Sequence, residues 1–428
     1  MKKKILSLTL ACLMIMTVIV TTVPVYAGNA ICKIGDTEYT SLDNAITAIK
    51  DSGVAGQTIE LLTDIEVEKI NTGRFNIPKF TIKSATALGR NATLTVKSDS
   101  IVSGGAAYAS LINFENIDFV QPTTSTNAIV HARGGSVYTF NNCTFKVGGY
   151  SASMGAHFVA NNSSGTITMN NCTVNYVGTD TTNVMFASYN DNYKYTLNLN
   201  NVTVNTGSVA KTMFRLCSKM TVNIDGATSL SNNGGTMFDL TKGGTVNVLN
   251  GQAYGGYAAP EMVDGASVRT NTDSNGLRFT ANFAKENTAT SYGMLVTLAS
   301  NLTNTAFTAA ALEAAGVKTY AAVPANIVAD DGSFTTALLG IADVNAQYAA
   351  RGYAIYETEN ATITVYSAYN ADKNCRSLAW VADAATKDVK TEKNQTTGHI
   401  FEVETGVFSR YSKDQYEVVK AYAAQYNG

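Results

Sequence analysis

The sequence predicts an all-β protein, in which a parallel β-helix is followed by an antiparallel β-sandwich and a terminal helix. Three observations lead to this fold class. A nine-residue segment recurs in six copies at offsets of 26, 29, 30, 25 and 24 residues, a second strand-like segment recurs every 24 or 28 residues, and both periods are lost after residue 255. Self-similarity in this range is typical of a solenoid, whose units bury their apolar sides by stacking on their neighbours.

The first 27 residues have the pattern of a secretory signal peptide. Three lysines at 2–4 precede an apolar run, and Val25-Tyr26-Ala27 is a small-residue cleavage site. Removal of this segment leaves 28 basic and 33 acidic residues, a net charge of −5. That charge disfavours nucleic acid and anionic membrane as partners, and no other apolar run is long enough to span a membrane. We therefore expect a secreted or cell-surface protein.

Each nine-residue segment has the pattern of two strands separated by a bend. Its second and fourth positions are apolar, which is the alternation of a strand with one buried face. Its sixth position holds glycine in one copy and asparagine in the others, and both residues tolerate the left-handed backbone of a sharp bend. These predicted bend asparagines are Asn116, Asn142, Asn171, Asn201 and Asn250.

Three of the bends also match the acceptor pattern for N-glycosylation, at 142–144, 171–173 and 201–203. The repeat accounts for these asparagines without glycans, which would collide at stacked bends. Cys143 and Cys172 follow two of the bends and fall in one inward column, where we expect them to pack as small apolar residues. Whether a disulfide joins them stays open, and the sequence predicts no metal ligands.

A second strand-like segment completes each coil. Its apolar centres are Val130, Phe158, Phe186, Phe214 and Phe238. The coil is therefore strand, asparagine bend, strand, loop, strand. Its length of 24 to 30 residues fits a parallel β-helix, whereas a propeller blade requires about 40 residues.

Residues 29–255 resemble a right-handed parallel β-helix of the pectate-lyase-like kind, whose bends carry stacked asparagines. The opening ICKIGDTEYTSLDNAITAIKDSG resembles the start of many bacterial surface and secreted β-helix proteins. There Ser41 is expected to cap a short helix at 42–50 that covers the exposed end of the first coil. This architecture hosts lyases, hydrolases, adhesins and inert spacers, so the resemblance implies the fold more than the activity.

The second half begins with a segment rich in glycine and asparagine. We assign the β-helix to 28–255, a linker to 256–275, a β-sandwich module to 276–384, and a linker with a C-terminal helix to 385–428. The module's predicted strands are 276–283, 292–298, 318–327, 345–357, 361–369 and 376–383. Residues 307–316 are either a short helix or an excursion between strands. These strand motifs resemble an accessory β-sandwich module of secreted proteins from Gram-positive bacteria.

The terminal helix has two sequence signals. Ser412 stands three residues before Gln415, which is the spacing of a capping box, and Tyr416 and Val419 fall on one helix face. We expect this helix to dock on the β-sandwich module.

Candidate catalytic residues flank the apolar centres of the second strand-like segment. We expect His131 and His157 to point outward on one lateral face, which Arg215 and Asp239 would join. A polysaccharide-cleaving β-helix would place its base and charge stabilisers there. The alternative is a set of scattered polar groups on a solvated face. The acidic residues of the repeat fall in different columns, so the patterns of pectate lyases and polygalacturonases are not matched.

The loop SYNDNYKY at 188–195 is the candidate ligand contact. Tyr189, Asp191, Tyr193 and Tyr195 form a set that can stack on sugar rings and bind their hydroxyls. Alternatively, the tyrosines pack on the strand below.

The sequence therefore predicts a secreted bacterial glycan-binding or adhesive protein whose partner is an extracellular or cell-wall polysaccharide. Its rival is a polysaccharide lyase or glycoside hydrolase acting on the lateral face, which requires carboxylates and His or Arg to converge within about 10 Å. A structural spacer within a larger surface assembly is the third possibility. No cofactor is expected, except calcium in the case of a lyase.

Overall fold

The structure, a computed structural model, describes residues 29–70, 77–97, 100–103, 109–151, 155–160, 164–188, 190–271, 274–284, 286–317, 319–322, 332–387, 391–393, 400–402 and 413–428. The predicted signal peptide, Tyr189 and Ser412 lie outside the described residues, as does most of the strand predicted at 318–327. Among the described residues, none of the helices is long and apolar enough to cross a membrane.

The first part of the chain is a parallel β-solenoid of about six turns. Its strands, in chain order, are β1 (Cys32–Ile34), β2 (Thr37–Tyr39), β3 (Gln57–Leu61), β4 (Ile65–Val67), β5 (Phe80–Ser84), β6 (Ala92–Val96), β7 (Val102–Ser103), β8 (Leu111–Glu115), β9 (Ile117–Val120), β10 (Val130–Ala132), β11 (Ser136–Asn141), β12 (Thr144–Val147), β13 (Ala156–Ala160), β14 (Gly165–Asn170), β15 (Thr173–Tyr176), β16 (Val184–Ser188), β17 (Tyr195–Asn200), β18 (Thr203–Asn205), β19 (Phe214–Cys217), β20 (Met220–Asp225), β21 (Ser229–Ser231), β22 (Phe238–Lys242) and β23 (Gly244–Val248).

These strands stack into three parallel sheets. The first sheet has the order β3-β5-β8-β11-β14-β17-β20-β23, the second β4-β6-β9-β12-β15-β18-β21, and the third β7-β10-β13-β16-β19-β22. Only β1 and β2, which extend the first sheet beyond β3, pair antiparallel within the described part of the solenoid. The repeat read from the sequence is confirmed, since each of the first five nine-residue segments supplies one strand to the first sheet and one to the second, and the sixth supplies β23 to the first sheet.

Helix α1 (Leu42–Ser52) covers the start of the solenoid, as predicted. The hydroxyl of Ser41 accepts a hydrogen bond from the backbone N–H of Asn44, and Gly53 ends the helix with φ 67°. The apolar face of α1 is buried on the first coil through Leu42, Ala45, Ile46 and Ile49. The helix thereby closes an otherwise open end of the core.

The bend asparagines form a hydrogen-bonded ladder. Asn116, Asn142, Asn171 and Asn201 all have φ between 53° and 56°, which is the left-handed conformation that the sequence predicted. Nδ2 of Asn171 donates to Oδ1 of Asn142 at 3.2 Å, and Nδ2 of Asn201 donates to Oδ1 of Asn171 at 3.0 Å. Each amide therefore fixes its own bend and the next one.

Asn250 is the exception, and its predicted role as a bend residue is wrong. The left-handed residue at this corner is Gly251, with φ 76°. The side-chain Nδ2 of Asn250 instead donates to the hydroxyl of Tyr254 at 3.1 Å. The amide ladder already ends at Asn201, since Gly226 with φ 58° holds the next corner, and after Gly251 the chain turns toward the C-terminal part.

Stacked aromatic rings fill the interior. Phe114 and Phe140 lie parallel with centroids 4.9 Å apart, as do Phe158 and Phe186 further along. Cys143 and Cys172 are both 1% exposed and both are free thiols. Their Sγ atoms donate to the backbone oxygens of Asn141 and Asn170, each at 3.3 Å.

The C-terminal part continues the first sheet of the solenoid. Its elements are β24 (Glu261–Met262), β25 (Ser267–Asn271), β26 (Ser274–Asn282), β27 (Ser291–Leu298), α2 (Ala309–Ala314), β28 (Tyr320–Ala322), β29 (Ser333–Leu339), β30 (Tyr348–Glu357), β31 (Ala361–Tyr366), α3 (Ala371–Asn374), β32 (Cys375–Arg376), α4 (Leu378–Lys387), β33 (Thr391–Lys393), β34 (Ile400–Glu402) and α5 (Lys413–Ala423). Two 3₁₀ turns lie at Thr86–Leu88 and Ala299–Leu302.

Strand β31 pairs parallel with β23, so that Thr245 lies opposite Thr362. From there the sheet runs antiparallel through β30, β27 and β28, while β24, β25 and β29 pair with β26 in a second antiparallel sheet. The two sheets pack through Tyr292, whose ring lies 5.0 Å from that of Phe283 and 5.5 Å from that of Phe334. The predicted β-sandwich is confirmed, and its first sheet is shared with the solenoid.

Three segments differ from their sequence assignment. Residues 376–383, predicted as a strand, lie mostly in helix α4, because Leu378, Val381 and Ala382 recur at the spacing of one helical turn and are buried together. The predicted linker 256–275 contains β24 and β25, and β29 was not predicted. The terminal helix α5 packs on α4, as expected. Gln415, which was predicted to take part in a capping box, donates its side-chain Nε2 to the backbone oxygen of Thr270 at 3.0 Å.

Candidate functional site

The predicted lateral row does not assemble into one site. In the third sheet, Arg215 lies opposite Asp239, and Nε of Arg215 is 3.1 Å from Oδ2 of Asp239. His131 shares their column, but β13 and β16 lie between its strand and that of Arg215. At about 4.8 Å per strand, this separation is close to 14 Å. The Arg215–Asp239 contact is an ion pair between neighbouring coils.

His157 is not on the outward face at all. Its ring is 0% exposed and lies in the same column as Ile129 and Met185, both of which belong to the apolar core. Strict alternation of buried and exposed residues does not hold in β13, where the consecutive residues His157 and Phe158 are both buried. Nδ1 of His157 lies 2.6 Å from the backbone oxygen of Gly149, while Nε2 has no hydrogen-bond partner among the residues that the structure describes. Burial lowers the pKa of His157 to about 4.

We expect this histidine to make folding sensitive to mild acid. In the unfolded chain His157 takes up a proton near pH 6.5, whereas in the folded chain it stays neutral down to about pH 4. The unfolded state therefore binds more protons in that window, and the free energy of unfolding falls by about 3 kcal/mol as the pH drops through it. Urea unfolding at a series of pH values measures this slope.

The variant His157→Gln retains a donor for the oxygen of Gly149 and lacks a titrating ring. Its free energy of unfolding is expected to change less between pH 6.5 and pH 4 than that of the wild type, whatever its value at neutral pH. Carboxylates contribute equally to both proteins, so the difference isolates the histidine. Equal slopes for the two proteins would contradict the assignment.

The tyrosine loop is mostly used for packing. Tyr195 is 1% exposed and belongs to β17, so its ring is part of the core. Oδ1 of Asp191 accepts a hydrogen bond from the backbone N–H of Ser218 at 2.9 Å, which ties the loop to the next coil. Tyr193 remains 38% exposed, and Tyr189 lies outside the described residues. The loop thus offers one described aromatic side chain to a ligand, and not a cluster.

Metal ligands do not converge in the described part of the chain, where no group of three or more His, Cys, Asp and Glu side chains lies close enough to hold an ion.

A regular polar surface lies on the outside of the first sheet instead. Its side chains form two columns that run along the solenoid axis, one of threonine and one of asparagine and threonine. We name this surface the threonine–asparagine face, and it consists of Thr166, Thr168, Thr196, Asn198, Thr221, Asn223, Thr245, Asn247, Thr362 and Thr364. All ten side chains are partly exposed.

The two columns have a fixed geometry. Neighbouring strands are about 4.8 Å apart, and residues two apart along a strand are separated by roughly 6.7 Å. Strand β31 of the C-terminal part adds Thr362 and Thr364 in register with Thr245 and Asn247. The face therefore extends without interruption from the solenoid onto the β-sandwich.

The asparagine column is internally bonded and still has capacity for a ligand. Nδ2 of Asn247 donates to Oδ1 of Asn223, and Nδ2 of Asn223 to Oδ1 of Asn198, both at 2.8 Å. Nδ2 of Asn198 donates to the hydroxyl of Thr168 at 3.0 Å. Each amide thus keeps one N–H and one lone pair free. Among the described residues, the hydroxyls of Thr196 and Thr221 have no hydrogen-bond partner.

The sequence contained the signal for this face. The threonines and asparagines occupy the first and third positions of the same nine-residue segments whose second and fourth positions identified the core. Because alternate residues of a strand point to opposite sides, an outward pair of threonine or asparagine accompanies the inward pair in the last four of the six segments. The sequence prediction placed the function in a loop and on the third sheet, and it did not include these outward columns.

No known protein family matches this chain, and no curated protein matches it either.

Proposed function

We propose that this is a secreted bacterial surface protein that binds a neutral extracellular or cell-wall polysaccharide along the threonine–asparagine face. The face is the observation that supports this function, since it presents uncharged donors and acceptors at a constant spacing over five strands. A linear polysaccharide is also a periodic, uncharged array of hydroxyl groups. The signal-like N-terminus and the resemblance to pectate-lyase-like β-helices of bacterial surface proteins agree with this role.

The charge distribution favours a neutral ligand over an acidic one. Neither column of the face carries a charge, whereas the net charge without residues 1–27 is −5. A uronic acid polymer would meet no cation here and would be repelled by the remainder of the surface. The affinity then comes from many weak hydrogen bonds along the face. The polysaccharide is recognised because the spacing of its hydroxyl groups matches that of the side chains, and no pocket is required.

We expect Thr221→Glu to weaken polysaccharide binding about tenfold or more. Thr221 lies on β20, in the interior of the face, and a carboxylate there must be desolvated against a neutral partner without a compensating cation. A tenfold loss corresponds to about 1.4 kcal/mol, which is within that cost. The measurement is depletion of the mature protein from solution by insoluble neutral glucans, xylans, mannans and chitin.

The matched control is Thr203→Glu, which adds the same side chain to an exposed position of the second sheet. Tyr193→Ala tests the loop separately. We expect both variants to bind like the wild type. Equal weakening by Thr203→Glu would assign the effect to charge in general, and a loss confined to Tyr193→Ala would move the contact to the loop. If Thr221→Glu altered self-association and not glycan binding, as seen by sedimentation, the face would be an interface between copies.

A further inference from the structure

A cluster of a buried amine, a partly exposed carboxylate and a buried carboxamide lies between two neighbouring loops of the solenoid. Lys211 is 0% exposed, and its Nζ is 3.2 Å from Oδ2 of Asp180. The same Nζ donates to the backbone oxygen of Asn183 at 2.8 Å. Nδ2 of Asn183 donates to Oδ2 of Asp180 at 2.7 Å. One carboxylate oxygen therefore contacts both the amine and the amide.

An aromatic wall shields the amine. Nζ of Lys211 lies 4.3 Å from the ring centroid of Tyr176, and the hydroxyl of Tyr176 donates to the backbone oxygen of Asp180 at 3.1 Å. The ring of His157 packs on the same tyrosine at 4.9 Å, with its Nε2 buried and unpartnered. The amine is thus held out of water against the residue that carries the amide.

The two ionisable groups of the cluster are shifted by their surroundings. Burial lowers the pKa of Lys211, although Asp180 opposes the change. Burial alone raises the pKa of Asp180, but hydrogen bonds from Thr182 and Asn183 outweigh it and hold that pKa far below its ordinary value. Asp180 therefore stays ionised in the resting protein, where its Oδ2 contacts both the amine and the amide, and its carboxylate resists nucleophilic attack. The neutral amide of Asn183 is the better electrophile.

We propose that Lys211 and Asn183 become joined by an intramolecular amide bond. Nζ of Lys211 gives a proton to Oδ2 of Asp180 and adds its lone pair to Cγ of Asn183. The Cγ–Nδ2 bond then breaks, and Nδ2 leaves with its bonding electrons as ammonium, carrying the two protons that Nζ gives up. Asp180 is regenerated as a carboxylate, and charge is conserved because one ammonium replaces another.

The bond would connect successive coils of the solenoid. Lys211 and Asn183 are 28 residues apart and lie in the loops that lead into β19 and β16. These loops belong to neighbouring coils that are otherwise joined by non-covalent contacts, namely backbone and side-chain hydrogen bonds and packing. A covalent link there restricts the unfolded chain and resists separation of the coils under load.

Mass spectrometry of the purified wild-type protein tests the proposal. We expect an intact mass lower than that of the processed sequence by one ammonia. Because a succinimide at any asparagine gives the same loss, the peptide map decides. Trypsin should not cleave after a linked Lys211, so peptide 195–215 should appear bonded to peptide 147–194 through Asn183 and Lys211.

The variants Lys211→Arg and Asn183→Ala should each have the intact mass expected from their sequence, without the loss of ammonia. Their tryptic maps should contain the two peptides unlinked. Lys219→Arg is the matched control, since Lys219 is exposed and donates to the backbone oxygen of Asn192 without a carboxylate partner. We expect it to keep the linked peptide. A wild-type map dominated by free peptide 195–211 overturns the proposal, even if the variants fail to fold, and a linked peptide that persists in Lys211→Arg also overturns it.

Discussion

Replacing Arg351 with methionine is expected to lower the free energy of unfolding by about 3–5 kcal/mol. Arg351 is 6% exposed, and its guanidinium donates to three backbone oxygens, those of Ser367 at 2.8 Å, Phe307 at 2.7 Å and Leu249. Methionine has a similar volume and no donor, so three buried carbonyls lose their partners at roughly 1–3 kcal/mol each. Methionine also avoids the cost of burying a charge, so some of that loss is recovered. In the wild type, burial of the guanidinium lowers the pKa of Arg351 to about 10.

The loss should be concentrated where the solenoid meets the C-terminal part. Leu249 directly follows β23, whereas Ser367 follows β31, so the guanidinium joins the two strands where the parts meet. Trp380, the only tryptophan, lies in α4 and reports on the C-terminal part by fluorescence. In urea, we expect the fluorescence transition of Arg351→Met to move to a lower concentration than the transition followed by far-ultraviolet circular dichroism.

The matched control is Arg90→Met. Arg90 and Asp64 form an ion pair that is about half exposed, with Nη1 2.7 Å from Oδ1, and such exposed pairs contribute little to stability because solvent screens them. A stability change of Arg351→Met that is no larger than that of Arg90→Met would refute the role assigned to the buried guanidinium.

Phe140→Ala is expected to cost about 3–5 kcal/mol, the range for removal of a fully buried phenylalanine. Its ring is 0% exposed, stacks on Phe114 at 4.9 Å, and meets Phe119 and Phe145 edge to face at 5.7 Å and 5.1 Å. The cost should lie near the upper end of the range, because parallel hydrogen bonds on both sides of β11 prevent the neighbouring coils from closing over the cavity.

Urea unfolding followed by circular dichroism measures this loss, and Tyr193→Ala is the aromatic control on the surface. Phe140→Ala should also lower the free energy of unfolding by less when Phe114 is already alanine, because the two substitutions open one shared cavity. If the single variant lost less than about 1 kcal/mol, as is typical of an exposed position, the stacked core would not be the main source of stability.

The solenoid could be predicted because its information is local and repeated. Each coil places an apolar residue in the same inward columns. An ambiguous residue in one coil can therefore be assigned from the equivalent positions in the other coils. The junction could not be predicted in this way. The pairing of β23 with β31 joins residues more than one hundred positions apart, and the strand pattern of β31 contains nothing that distinguishes a solenoid partner from a sandwich partner.

Helix α4 and His157 show a second limit. Short apolar runs such as 376–383 suit either a strand or a helix, and only packing against α5 and β25 decides between them. Likewise, strict alternation placed His157 outside, whereas both His157 and the following Phe158 are buried in the structure. The outward columns of the first sheet were fully predictable, since alternation does hold there.

The asparagine column of the threonine–asparagine face has a direction. Every amide from Asn247 to Asn198 donates toward the N-terminal end of the solenoid, and those of Asn223 and Asn198 accept from the opposite side. The side-chain dipoles of the column therefore add head to tail, and the two ends of the face differ as the two ends of a helix do. A sugar chain also has distinguishable ends. The surface would then favour one orientation of such a chain, so copies bound to one fibre would all point the same way.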